Sequence, residues 1–249
     1  MVTTFEIRLP TSLAGFAPDQ TFYSASAGWL KVRSGCDGWR DGDAITVPDY
    51  VFDRAHQVDD ELAYRIGAGC AIEREKGGPE AGGVVMLLES PHRDEYDGQS
   101  GIAIGPLRNK ESRDYLERYL PSLLKVAEGR LGRSLEGLGV NLVNAVQYQT
   151  SLQALMTDYG GRLQDGVRTR VWKTIFASGG DGDMLARLDR YDPGIVLAAP
   201  TKVVWNAIRR EFDGHSRRWP WLRVDSHPSC WKRRVPKIEG RLHPATVRS

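Results

Sequence analysis

The sequence predicts an α/β fold: a three-layer α/β/α domain with a mainly parallel four-stranded sheet, preceded by an N-terminal extension. Three observations carry that expectation. Short runs such as Val84–Leu88 (VVMLL) are apolar without alternation, as strands covered on both faces are. Those runs alternate with stretches of helical period, the order that builds parallel sheets. A Gly/Pro-rich segment, Glu75–Gly83 (EKGGPEAGG), divides them from a differently patterned beginning. The expected organisation is therefore an extension over 1–82, packed on or beside the core, and a catalytic domain over 83–249.

In the extension, short apolar stretches alternate with turns such as Cys36-Asp37-Gly38, and the pattern predicts one helix near Asp59–Ile66. Val84–Leu88 is the first buried strand. A helix follows with Tyr115, Leu116, Tyr119, Leu120, Leu123 and Leu124 on one face, kinked or restarted at Pro121. Val140–Val146 is the second strand, and Val167, Val171, Trp172, Ile175 and Phe176 mark a second helix. Ile195–Ala199 is the third strand, Thr201–Phe212 the third helix, and Leu222–Val224 the fourth strand.

Composition narrows the function classes. With 249 residues, 41% of them hydrophobic and 27% charged, the chain can bury a sizeable core. No apolar run reaches the roughly 20 residues of a membrane span, and no secretory leader is expected, so a cytoplasmic, monomeric protein is anticipated. Three cysteines without short spacing exclude a disulfide framework or a CxxC metal site. The net charge of +2 is uneven: residues 217–249 hold nine Lys/Arg against two Asp/Glu, and the remainder holds 25 against 30. A basic segment interleaved with Trp219, Trp221 and Trp231 suits a polyanion, although tryptophans packed on the core would read the same way.

In parallel sheets the ligand lies beyond the carboxyl ends of the strands. The residues there are Glu89-Ser90-Pro91-His92, Asn144 with Gln147, Pro200-Thr201 and His227-Pro228-Ser229. Pro91 disfavours helix at Ser90, so the chain turns away sharply after Glu89. A carboxylate on such a turn can hold a water or face a developing cation; a capping or salt-bridged Glu is the plainer alternative. Asn144 offers both a donor and an acceptor, as reading a nucleobase edge requires, or it bonds to backbone. His227 can donate to a leaving group's oxygen when neutral.

Leu88-Glu89-Ser90-Pro91-His92-Arg93-Asp94-Glu95-Tyr96-Asp97-Gly98 resembles the first motif of the uracil-DNA glycosylase superfamily, in the branch reading G-E-A-P-G-x-D-E-D-x-x-G. Asn141–Val146 looks like that branch's second strand, with its base-reading Asn, and Ser226-His227-Pro228-Ser229 matches the H-P-S motif. The resemblance covers roughly Gly83 to Trp231. It implies that Glu89 positions water and stabilises an oxocarbenium-like sugar, that Asn144 reads a flipped base, and that His227 stabilises the departing base. It places Ser90, His92, Gly101, Ile102 and Gln147 around the base. Ser229, Trp231, Lys232, Arg233 and Arg234 would grip DNA, single- or double-stranded, with Trp231 as a wedge.

The departures refine this. Tyr148 stands where the iron–sulfur branch has a cysteine, and no Cys lies between Cys70 and Cys230, so no cofactor or metal is expected. His92 replaces the motif's glycine, and Gln99–Pro106 lacks the aromatic that stacks on uracil. The expectation is a monofunctional glycosylase for a bulky, phage-type base such as glucosylated hydroxymethylcytosine, in antiviral defence, ahead of uracil excision in repair. Two other classes remain: a nuclease with metal on His92, Asp94, Glu95 and Asp97, and a DNA-binding protein without catalysis. No P-loop, G-x-G-x-x-G or G-x-S-x-G follows any strand.

Overall fold

The computed structural model describes residues 5–8, 21–24, 28–33, 49–53, 57–95, 103–147, 150, 169, 172–173, 176–177, 181–215, 219–233 and 235–243. Near the N-terminus, β1 (Phe5–Arg8), β2 (Thr21–Ser24), β3 (Gly28–Arg33) and β4 (Asp49–Asp53) form an antiparallel sheet in the order β1-β4-β3-β2.

A second sheet has seven strands rather than four. They are β5 (Glu61–Ile66), β6 (Ile72–Gly77), β7 (Val84–Leu88), β8 (Gly139–Asn144), β9 (Ile195–Ala198), β10 (Trp221–Val224) and β11 (Ile238–His243), in the order β11-β10-β9-β7-β8-β5-β6. The four expected strands form its parallel centre, and β5, β6 and β11 add antiparallel edges. The chain is thus α/β with mostly parallel central strands.

The helix expected near Asp59–Ile66 is instead the strand β5. A six-residue segment fixes neither period firmly, and here pairing with β8 on one side and β6 on the other supplies both of its hydrogen-bonded edges. Residues 61–77 therefore complete the main sheet, although they lie before the expected boundary at residue 83 and β6 runs into the Gly/Pro segment that marked it.

Three helices are described: α1 (Lys110–Leu131), α2 (Asp181–Tyr191) and α3 (Lys202–Gly214). Asn109 caps α1 by accepting from the Ser112 N–H at 3.0 Å, and Gly132 ends it in the left-handed region at φ 66°. The helix neither breaks nor restarts at Pro121. Leu116, Leu120, Leu123, Leu124 and Ala127 pack it against Val84, Met86, Leu88, Val140, Leu142, Ile195 and Leu197. The alternate strand residues Val85, Leu87, Val143, Val196 and Ala198 face the other way. They pack against Met184 and Leu188 of α2, Val204, Trp205, Ile208 and Phe212 of α3, and Trp172 and Phe176. Period-2 alternation thus divides a continuous apolar run between two cores. Of the expected helix over 167–176, Val167, Val171 and Ile175 lie outside the described residues.

Gly83 is needed where the strand β7 begins. A Cβ there would lie 2.6 Å from the Gly139 carbonyl oxygen, so only glycine lets these backbones approach. No helix among the described residues is long and apolar enough to cross a membrane.

Candidate functional site

Along the sheet β8 lies on one side of β7, while β9 and then β10 lie on the other. The loop after β7 leads to α1 on one face and the loop after β9 leads to α3 on the opposite face, so the path of the sheet reverses between these two strand ends, the place where open α/β sheets take their ligands. Glu89 follows β7 directly and is only 2% exposed. Its Oε2 accepts from the Thr201 N–H at 3.1 Å, a bond that joins the two strand ends. Its backbone carbonyl accepts from Trp172 Nε1 at 3.0 Å and from the Val146 N–H at 3.1 Å. The turn carrying the carboxylate is therefore held from both neighbouring strand ends and by the indole of Trp172.

Asn144 is the last residue of β8, in register with Leu88, and is 1% exposed. Its Nδ2 donates to Glu95 Oε2 at 3.4 Å, while its Oδ1 is buried and has no hydrogen-bond partner among the described residues. Buried polar atoms are almost always paired, so an orphan acceptor at a strand's carboxyl end is a position for a ligand's donor. Burial pushes the Glu95 carboxyl up to about 8, against hydrogen bonds from the backbone at His92 and Leu107 and from Asn144.

His227 follows β10, two strands from β7, which sets it about 10 Å across the sheet edge from Glu89. Its Nδ1 accepts from the Ser229 N–H at 3.3 Å and faces Ser229 Oγ at 3.0 Å. Because a backbone N–H can only donate, a neutral His227 carries its proton on Nε2.

The remaining expected site residues divide. Ser90 Oγ shares a hydrogen bond with Thr150 Oγ1 at 2.8 Å, beside Glu89. His92 is exposed, with Nδ1 accepting from the Asp94 N–H at 3.3 Å. Gln147 is taken up elsewhere: its Nε2 donates to the Val58 carbonyl at 3.0 Å and to Asp60 Oδ1 at 3.4 Å, and its Oε1 accepts from Gln57. That amide props the loop before β5 rather than lining a base pocket. Gly101, Ile102 and Arg234 lie outside the described residues. Trp231 is corrected outright as a wedge. Its indole is 1% exposed, donates to the Ser226 carbonyl at 3.0 Å and meets Tyr119 of α1 edge-on, so it belongs to the core. Trp219 and Trp221 are likewise buried. Ser229, Lys232 and Arg233 are exposed, and Lys232 pairs with Glu111 at 3.0 Å.

The acidic residues of the metal alternative diverge. Glu95 turns inward to Asn144, and Asp94 accepts from Asn109 Nδ2 at 2.5 Å. Among the described residues no three His, Cys, Asp or Glu are grouped to hold a metal ion, and Asp97 lies outside them.

Sequence reasoning missed the support beneath Asn144. Arg187 of α2, 3% exposed, donates through Nη1 to both oxygens of Asp60 at 2.8 and 2.7 Å. Its Nη2 donates to the Asn144 carbonyl at 2.8 Å, and Tyr191 Oη donates to Asp60 Oδ2 at 2.8 Å. The buried guanidinium thus ties the end of β8 to the segment before β5. The spacing of Asp183 and Arg187, an i,i+4 pair, was the visible trace of this helix.

Comparison with family models, with curated proteins and with solved structures finds no match to this chain.

Proposed function

We propose that the chain is a monofunctional DNA glycosylase on a three-layer α/β/α domain of the uracil-DNA glycosylase kind. It extrudes a modified pyrimidine from DNA and hydrolyses the N-glycosidic bond, leaving an abasic site and a free base. One observation carries the reading. A buried carboxylate, Glu89, follows the strand β7 where the sheet's path reverses, and a buried amide, Asn144, whose oxygen has no hydrogen-bond partner among the described residues, ends the adjoining parallel strand β8.

The chemistry follows from what each group can do. The base must leave the stack, since the glycosidic bond is shielded within a duplex. Asn144 meets its edge. Glu89 orients water toward the anomeric carbon and offsets the positive charge that grows on the sugar as the bond stretches. His227, with its proton on Nε2, donates to the base oxygen where negative charge accumulates. The exposed Ser229, Lys232 and Arg233 follow His227 directly and face DNA phosphates. A bulky phage-type base is favoured over uracil because no aromatic residue occurs in Gln99–Pro106 to stack on a small ring.

The test incubates the protein, with chelator, on single- and double-stranded DNA carrying uracil, hydroxymethylcytosine or glucosylated hydroxymethylcytosine, followed by hot alkali. Alkali-dependent breaks that disappear in Glu89→Gln and Asn144→Ala are expected, and the responsive base names the substrate. Breaks without alkali that vanish with chelator would replace this reading with a nuclease. Salt-sensitive DNA binding that survives both substitutions, with no product, would replace it with a non-catalytic binder.

A further inference from the structure

We propose that Glu95 decides which end of the Asn144 amide faces the base, and so whether the site takes a pyrimidine with an amino group or a carbonyl at position 4. This rests on Asn144 as the base-contacting residue. It adds a positioning residue, and a chemical rule for the substrate, that the glycosylase reading alone does not supply.

The geometry leaves Asn144 one freedom. Register with Leu88 and the Arg187 bond to its carbonyl fix the backbone, and neighbours bury the side chain almost completely. A half-turn of the terminal amide exchanges Oδ1 and Nδ2 with almost no change of shape. Glu95 is the group that tells these two orientations apart. An ionised carboxylate only accepts, so it holds Nδ2, and Oδ1 faces away from Glu95, a buried acceptor without a hydrogen-bond partner among the described residues. A protonated carboxyl has a hydrogen to give; Oδ1 takes it, and Nδ2 turns away from Glu95 as a donor. One buried position therefore offers an acceptor in one state and a donor in the other.

The groups around Glu95 permit both states. Backbone donors at His92 and Leu107 and the Asn144 amide favour the ionised form, as does the charge of Arg108, which is itself paired with Glu61. Burial opposes them and prevails, lifting the carboxyl to about 8, so both forms are populated near neutrality. With Glu95 ionised, the position-4 amino group of a cytosine-type base meets Oδ1. With Glu95 protonated, the carbonyl of a uracil-type base meets Nδ2.

The experiment measures equilibrium binding of the full chain to DNA bearing one 2′-fluoro cytidine or one 2′-fluoro uridine, whose glycosidic bonds resist cleavage. Affinities are compared at about pH 6.5 and about pH 9, on either side of the carboxyl's midpoint. The amino-over-carbonyl affinity ratio is expected to rise about tenfold or more from the lower to the higher pH, one matched against one mismatched buried hydrogen bond. In Glu95→Gln, which keeps the shape but cannot ionise, the ratio is expected to stay constant. A second readout needs no variant: the Asn144 side-chain amide resonance should shift with pH at the same midpoint as the Glu95 carboxyl carbon. A wild-type ratio that stays constant, or one that still changes in Glu95→Gln, overturns this inference. It leaves the glycosylase reading intact as long as Asn144→Ala abolishes the preference between bases. If Asn144→Ala changes neither affinity, Asn144 does not read the base and both fall together.

Discussion

Replacing Arg187 by Met probes the support of the candidate site most directly. The guanidinium bonds both oxygens of Asp60 and reaches the Asn144 carbonyl, all within 2.8 Å, and both charged side chains are almost fully buried. Methionine fills much of the volume but leaves the Asp60 carboxylate with only neutral donors, Tyr191 Oη and Gln147 Nε2. Stranding a buried charge costs about 3–5 kcal/mol, far above the 0–1 kcal/mol of an exposed pair. For a chain of this size that lowers the melting temperature by about 10 °C. Burial already lifts the Asp60 carboxyl, and Arg187 is the strongest influence opposing it. In the variant the carboxyl therefore rises further and takes up a proton on folding. A native state that binds the extra proton loses stability as pH rises, so the deficit should be smallest in mild acid and grow toward neutrality. The assay is urea unfolding of Arg187→Met, Asp60→Leu and the double variant at two pH values. The double variant, with no charge left to strand, should be more stable than the sum of the single losses predicts. A loss below about 1 kcal/mol in Arg187→Met, or strict additivity of the two substitutions, would refute the reasoning.

Other perturbations have equally definite outcomes. Trp231→Ala should cost about 3–5 kcal/mol in chemical denaturation, because the indole fills the core beside α1; a small stability loss with a large loss of DNA affinity would restore it as a wedge. Glu95→Gln should gain stability relative to wild type as pH rises from mild acid to alkaline. The wild-type carboxyl, lifted from its ordinary value to about 8, contributes stability when protonated and loses it as pH climbs through that range; parallel stability curves would contradict this. Gly83→Ala drives a methyl to 2.6 Å from the Gly139 carbonyl and should cost about 1–3 kcal/mol by thermal melting. Lys232→Gln removes an exposed pair with Glu111, so stability should change by less than about 1 kcal/mol, while the salt dependence of DNA binding becomes shallower.

The sequence by itself determined the parallel centre of the sheet. Val84–Leu88 and Ile195–Ala199 are apolar on successive residues, and Val140–Val146 and Leu222–Val224 are interrupted only by Asn141, Asn144 and Arg223, a pattern that burial on both faces explains. It also placed Glu89 at a strand end, since the polar residue that stops such a run marks the edge, whereas the second strand ends at Asn144 rather than at the expected Val146 and His227 follows β10 by three residues. Tertiary structure alone decided the rest. Glu61–Ile66 became a strand because two neighbours offered it hydrogen-bonding edges, a condition six residues cannot announce. Trp231 and Gln147 carry the right chemistry for a DNA site but spend it inward, on Ser226 and on Val58. The Asp60–Arg187 pair joins residues 127 apart in the chain, and the orphaned oxygen of Asn144 is defined only by what surrounds it. Periodicity records which face of an element is buried; it carries no information about which distant side chain meets it there, because that depends on how the elements are brought together in space.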